Sequence, residues 1–228
     1  MLNKMRDNGF NPDAIIDVGA CIGDWMTVPL TAFPNADFYA FEPNQDVWHK
    51  LIAFSVNYPN RITLENKAVW NKTQKLTMNF SGQHTSFFPD VKGNRWGEKR
   101  IVKAVTLDEC GFEDYDNIFL KMDVQGGELK ILEGADSLLS SGKIEAIVTE
   151  VSLFEFQKGI PLYPEMFDIM HSLNFGLWGV INTHYRTLDK RPGQLDLMFV
   201  HNSSQLVEDS RWSKKENGMP EWSSYANK

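Results

Sequence analysis

Short apolar runs alternate with stretches of helical periodicity along most of this chain, and that alternation is what most limits the folds open to it. Ala14-Ile15-Ile16-Asp17-Val18, Asp37-Phe38-Tyr39-Ala40-Phe41, Arg61 to Leu64, Ile118 to Met122 and Ile144 to Thr149 read as strands. Each is mainly apolar with a single charged residue, close to the near-continuous apolar runs of strands covered on both faces. Between them, Val47, Leu51 and Phe54 are spaced i, i+4, i+7, which marks one face of a helix. Trp25 to Phe33 reads as a helix that Pro29 bends or begins. Leu2 to Asn8 reads as a short helix stopped by Gly9. Leu129, Leu132, Ala135 and Leu138 line one further helix, ended by Gly142, and Pro164 to Leu173 forms the last. Strands and helices in this alternation demand a mostly parallel sheet with helices on both faces. Phe175 to Ile181 and Leu195 to Val200 complete seven strands, and the polar loop joining them predicts a hairpin. One terminal strand then runs antiparallel.

The pattern breaks once. Lys75 to Phe80 and Ile101 to Val105 read as strands where a helix is due, so residues 71–105 are expected to be an inserted β-hairpin with a long loop. Thr106-Leu107-Asp108-Glu109 fits a capping box and predicts a short helix there. The domain is expected to span residues 1–201. Residues 202–228 are polar and read as a weakly structured tail that Trp212 and Trp222 pin to the body.

Composition narrows the function classes. A net charge of −7 over 228 residues argues against a nucleic-acid partner, since phosphate chiefly attracts Lys and Arg. Two cysteines, Cys21 and Cys110, give no disulfide framework and point to a reducing, cytoplasmic setting. The charged start, Met1 to Arg6, does not resemble a signal peptide. No segment approaches the roughly 18 apolar residues of a membrane span.

In sheets of this type, ligands bind beyond the carboxyl ends of the strands. The first strand ends in Asp17-Val18-Gly19-Ala20-Cys21-Ile22-Gly23. Gly19 permits a tight turn close to a ligand, and Gly23 permits the next helix to pack closely. The middle glycine that makes room for a pyrophosphate is missing. That argues against an NAD-dependent oxidoreductase and suits S-adenosylmethionine, which carries no phosphate. The second strand ends in Phe41-Glu42-Pro43, and Glu42 lies about 20 residues past the glycines, the usual place for an acid that holds ribose hydroxyls. Asn66-Lys67-Ala68 follows the third strand, where the adenine edge would lie.

These segments, in order, resemble the FkbM family of methyltransferases. The matching stretches are Gly9-Phe10-Asn11-Pro12, Ile16-Asp17-Val18-Gly19-Ala20, Phe41-Glu42-Pro43, Asn66-Lys67-Ala68-Val69, Thr106-Leu107-Asp108, Leu120-Lys121-Met122-Asp123-Val124-Gln125-Gly126 and Gln194-x-Asp196. The resemblance implies a class I methyltransferase Rossmann-like fold, S-adenosylmethionine as cofactor, and transfer to a hydroxyl oxygen of a sugar, glycan or natural product. Two departures stand out: Cys21 replaces the usual Asn, and Gln125 the usual Glu. A homologue that keeps the fold without turnover is the other reading.

Methyl transfer needs the acceptor oxygen aligned with the methyl group, and a base or a metal to raise its nucleophilicity. Asp123 follows the fourth strand and Glu150 ends the fifth, so the two are expected to face each other, one as base or both holding a divalent metal. His84, in the polar loop of the insert, is a further candidate base, ahead of His184. Cys21 could be reactive near a helix start, although packing against the cofactor is the plainer expectation. Phe80 reads as core. Gln83, His84, Thr85, Ser86, Phe87, Phe88 and Trp96 suit an acceptor pocket in the insert. The sequence names neither the acceptor nor the oligomeric state.

Overall fold

The apolar runs become the five adjacent parallel strands of one seven-stranded sheet. The structure, a computed structural model, describes residues 1–82, 84–94 and 97–207, with the backbone alone for His84 and Ser86. A short helix α1 (Leu2–Asp7) leads into β1 (Ala14–Val18), α2 (Thr27–Ala32), β2 (Asp37–Phe41), α3 (Trp48–Ser55) and β3 (Ile62–Glu65). The inserted sheet follows as β4 (Ala68–Val69), β5 (Gln74–Ser81), β6 (His84–Ser86) and β7 (Glu98–Val105). The chain then re-enters the main sheet through β8 (Ile118–Met122), α4 (Glu128–Glu133), α5 (Asp136–Ser140), β9 (Ile144–Ser152), α6 (Tyr163–Ser172), β10 (Phe175–Tyr185) and β11 (Pro192–His201).

The strand order is β10-β11-β9-β8-β1-β2-β3. β1 pairs in parallel with both β2 and β8, and β8 with β9. β11 runs antiparallel to β9 on one side and to β10 on the other. The antiparallel strand is therefore last in the chain but second from the edge in space. Every residue of β1 and of β8 is buried, because helices cover both faces. Ile16, Leu120 and Ile147 join one core, while Ile15, Phe119 and Val148 join the other. Phe119 meets Phe10 and Phe33 edge to face on the second side.

The insert is more than a hairpin. β5 and β7 pair antiparallel over most of their length, β6 pairs back onto β5, and β4 adds in parallel to β7. Phe80 is buried in its small core with Leu76, Met78 and Ala104, as expected. Trp96, Gln83, Trp212 and Trp222 lie outside the described residues.

Three local expectations are corrected. The short helix expected at Thr106 is there as a three-residue 3-10 helix, Leu107–Glu109, but the Thr106 side chain does not make the expected capping bond. Asp108 instead accepts from Ser137 N and Leu138 N, both at 2.9 Å, and so caps α5 from another part of the chain. The helix expected from Leu129 to Leu138 is two helices, broken at Gly134. A side chain at Gly134 would start 2.2 Å from the Trp70 carbonyl oxygen, so backbone passes where a helix side chain would be. Finally, β9 continues to Ser152, which places Glu150 inside the strand rather than at its end.

Candidate active site

The carboxyl ends of β1, β2 and β8 meet at the turn that follows β1. Gly19 sits there at φ +82°, and a Cβ on it would lie 2.0 Å from the Asp123 carbonyl oxygen. Only glycine allows both the conformation and the approach. Gly19 N and Ala20 N donate to Phe41 O, which ties the turn to β2. Gly23, at φ +94°, lies against the Phe54 ring, where any side chain would collide.

Two buried acids organise the turn, in different ways. Asp17 is fully buried, with Lys121 Nζ 2.8 Å from its Oδ1. Its Oδ2 has no hydrogen-bond partner among the described residues. Lys121 also donates to Gly19 O at 2.8 Å, so the buried pair anchors the glycine from below. Burial pulls the Lys121 ammonium down, but the Asp17 and Asp123 charges outweigh it and hold the pKa above its ordinary value. Glu42 is buried too. Its Oε2 accepts from Cys21 N at 2.8 Å and its Oε1 from Asn44 N at 2.7 Å. Burial raises its pKa against those two N–H groups. Asn66 Nδ2 and Trp48 Nε1 both donate to the Glu42 carbonyl, which fixes the strand end.

A cavity of about 220 Å³ opens above these groups. Of the residues singled out in the sequence, Gly19, Cys21, Glu42, Pro43, Lys67, Ala68 and Asp123 line it. Asp17, Ala20, Gly23 and Asn66 do not; each acts on the shape of the turn or of the β2 end from behind. The insert supplies Leu76, Met78, Thr85 and Phe87 to the same cavity. It therefore walls the space above the glycine turn. Phe87 packs against Trp70 at a tilt, with centroids 4.7 Å apart. Lys121, Trp70, Leu76 and Met78 were missed in the sequence, although a lone Lys inside the apolar run Ile118 to Met122 was a usable signal.

Cys21 is not set up as a nucleophile. Burial first, and the nearby Glu42 charge second, raise its thiol pKa above the ordinary value. The thiolate is the reactive form, so this thiol packs rather than reacts.

Asp123 and Glu150 do not pair directly. The Gln125 amide lies between them, 3.4 Å from Asp123 Oδ1 and 3.1 Å from Glu150 Oε2. Gln194 Nε2 also donates to Glu150 Oε2. Glu150 lies opposite Asp196 in the β9–β11 register, and His184 Nε2 is 3.0 Å from both Asp196 oxygens. Ligand atoms of Glu150, His184 and Asp196 thus lie within 4.8 Å of one another. The residues expected to share a metal were Asp123 and Glu150; the structure gathers Glu150 with His184 and Asp196 instead. The backbone of His84 belongs to β6, and its side chain is outside the described residues.

Burial, then the charges of Asp123, Glu128 and Asp196, push the Glu150 carboxyl up to about 9. Glu128, buried under the loop whose Val124 N and Gly126 N it accepts, is pushed up to about 7 by burial. An acid with a raised native pKa favours the folded state below its unfolded value of about 4.5 and loses that contribution as pH rises to the native value. Stability should therefore fall between about pH 4.5 and 9. Glu150→Gln, which keeps an acceptor for Gln125 and Gln194, should flatten the alkaline part of that fall. Melting temperatures across this range check it; an unchanged slope in the variant would show that Glu150 titrates normally.

The strand order, the antiparallel strand second from the edge and the glycine turn beside an acidic strand end together define a class I methyltransferase fold. The chain belongs to the FkbM methyltransferase family: the family model described as Methyltransferase FkbM domain matches residues 17–177. Members are S-adenosylmethionine-dependent methyltransferases. Several solved structures are similar over most of the chain. The precorrin-6y C5,15-methyltransferase of Geobacter metallireducens GS-15 is 13% identical, with 87% of this chain and 84% of that one covered and a TM-score of 0.47. The magnesium protoporphyrin IX methyltransferase of Synechocystis PCC 6803, solved with bound S-adenosylmethionine, is 11% identical over 86% and 74%, with a TM-score of 0.46. A ribosomal protein L11 methylase of Lactobacillus delbrueckii subsp. bulgaricus is 10% identical over 88% and 75%, with a TM-score of 0.47. No curated protein matches the chain. Among the described residues, no helix is long and apolar enough to cross a membrane.

Proposed function

We propose that this chain binds S-adenosylmethionine between the Gly19 turn, Glu42 and the inserted sheet, and transfers a methyl group to a hydroxyl of a sugar, glycan or natural product. The observation that carries this reading is the single cavity that collects Gly19, Cys21, Glu42, Lys67, Ala68 and Asp123. The residues fit such a cofactor. Each Glu42 oxygen accepts one backbone N–H and keeps capacity for a ribose hydroxyl. Phe41, Ala68, Leu76 and Met78 offer an apolar wall for adenine, beside Lys67. When bound, the cofactor supplies an electrophilic methyl on a sulfonium.

The chain's own part is to orient the acceptor and take its proton. Asp123 lines the cavity with its side chain 45% exposed, which leaves its carboxylate open to an incoming hydroxyl. Glu150 is protonated near neutrality, so it orients Gln125 rather than acting as the base. A second reading rests on the Glu150, His184 and Asp196 cluster, which would hold a divalent cation that polarises the acceptor oxygen.

Asp123→Asn is expected to keep the fold and cofactor affinity while losing most transfer, about a hundredfold or more, the scale of a lost general base. Single-turnover transfer, run with and without a chelator, checks both readings. Wild-type rates in the variant would make Asp123 structural, and chelator-insensitive turnover would remove the cation.

A further inference from the structure

We infer that a second cavity, between the chain after β9 and the β10–β11 turn, is the acceptor subsite, and that it takes an acidic sugar, a hydroxylated ring bearing a carboxylate, phosphate or sulfate. The inference rests on the methyl-transfer reading for its purpose but on separate residues for its chemistry. The cavity measures about 350 Å³, and Phe154, Phe156, His184, Arg186 and Gln194 are among the residues that line it.

Its position comes first. The cofactor cavity lies over the carboxyl ends of β1, β2 and β8. The second cavity lies over the same edge of the same sheet, one strand further along, where β9 ends and β10 turns into β11. Ligands of open α/β sheets bind along this edge. A hydrogen-bonded bridge joins the two spaces: Gln125, which lines the first, donates to Glu150, and Glu150 accepts from Gln194, which lines the second. Gln194, Glu150 and Gln125 are thus the polar groups that stand between an acceptor in the second cavity and Asp123.

The wall is built for a ring. Leu153 N bonds Gly193 O at 2.9 Å, which lays the chain after β9 along β11. Gly193 has no side chain to hold Phe154 away: a Cβ there would come 3.3 Å from Arg186 Cγ and 3.4 Å from Phe154 Cε1. Phe154 and Phe156 then meet edge to face at 6.0 Å, and such aromatic faces suit the C–H side of a sugar ring. Tyr185 and Leu188 stand at the rim 61% and 80% exposed, so apolar surface remains for a ligand to cover.

The charge is the second, independent observation. The guanidinium carbons of Arg186 and Arg191 lie over the Phe154 ring at 4.7 and 5.0 Å. Arg186 is partly answered by Asp189 at 3.5 Å. Arg191 has no ion-pair partner among the described residues. In a chain of net charge −7, Arg186 in the cavity wall and Arg191 on the same Phe154 ring next to it form a local cationic face. Stacking leaves the guanidinium edge of Arg191 free for the two-point hydrogen bonds that carboxylate, phosphate and sulfate accept, while Asp189 already faces Arg186 Nε.

The test uses the whole chain saturated with S-adenosylhomocysteine, and saturation-transfer NMR of four probes: glucose, glucuronate, a glucose phosphate and a glucose sulfate ester. At least one acidic sugar should bind about tenfold or more tightly than glucose, the scale of one charged hydrogen bond, and the three acidic probes rank the anions. Arg191→Gln, on the surface, should abolish that preference and leave S-adenosylhomocysteine affinity unchanged. Equal binding of acidic and neutral probes, binding of none, or an unchanged preference in Arg191→Gln would overturn the inference. Loss of S-adenosylhomocysteine binding by the wild type, with the anion preference kept, would instead overturn the methyl-transfer reading alone.

Discussion

Lys121→Met is expected to destabilise the protein by about 3–5 kcal/mol, the scale of a buried charge that loses its partner. Asp17 is 0% exposed, and Lys121 Nζ supplies its ion pair. Methionine keeps most of the apolar stem, so the loss is chiefly that of the ammonium, which also sits over the Trp25 ring at 5.8 Å. The same change removes the donor to Gly19 O and frees the turn. Asp17→Asn in the Lys121→Met background should recover part of the loss, because no buried charge then remains unpaired. Denaturant melts of the two single variants and the double check this. A cost under about 1 kcal/mol for Lys121→Met would mean that water, not Lys121, compensates Asp17.

Glu42→Ala should weaken S-adenosylhomocysteine binding by about 1.5–3 kcal/mol, roughly tenfold to a hundredfold, from the lost charged hydrogen bonds to ribose. The substitution also strips Cys21 N and Asn44 N of their acceptor, so the turn loosens where the cofactor would lie. Glu42→Gln keeps one acceptor and should fall between wild type and Ala. Calorimetry separates the three; equal affinity across them would show that Glu42 shapes the loop without touching the ligand.

Much of this was legible in the chain. Strands covered on both faces are mainly apolar, so β1, β8 and β9 announced themselves, and the glycines with Glu42 followed from the length of one βαβ unit. What escaped were features set by contacts distant in sequence. Leu129 to Leu138 keeps one helical period, yet the Trp70 backbone at Gly134 forces a break. Asp108 caps a helix it does not precede, and Glu109, half of the expected capping box, is shared between Thr106 and the Thr73 hydroxyl. β9 and β10 outrun their apolar cores, since Glu150, Asn182 and His184 sit on a polar stretch of sheet beside Asp196 and Gln194. Lys121 reads as an exception in an apolar strand until Asp17 is seen beside it. The insert was legible as β-structure, but that Leu76 and Met78 would line one cavity with Glu42 no local pattern encodes.

The central claim is that the space between Gly19 and Glu42 is a nucleoside cofactor site suited to a ligand without a pyrophosphate. Calorimetric titration of the unmodified protein with S-adenosylhomocysteine, and in parallel with NAD, tests it most directly. Saturable binding of one S-adenosylhomocysteine per chain with no heat from NAD is the predicted result; binding of NAD in its place, or of neither, would contradict it.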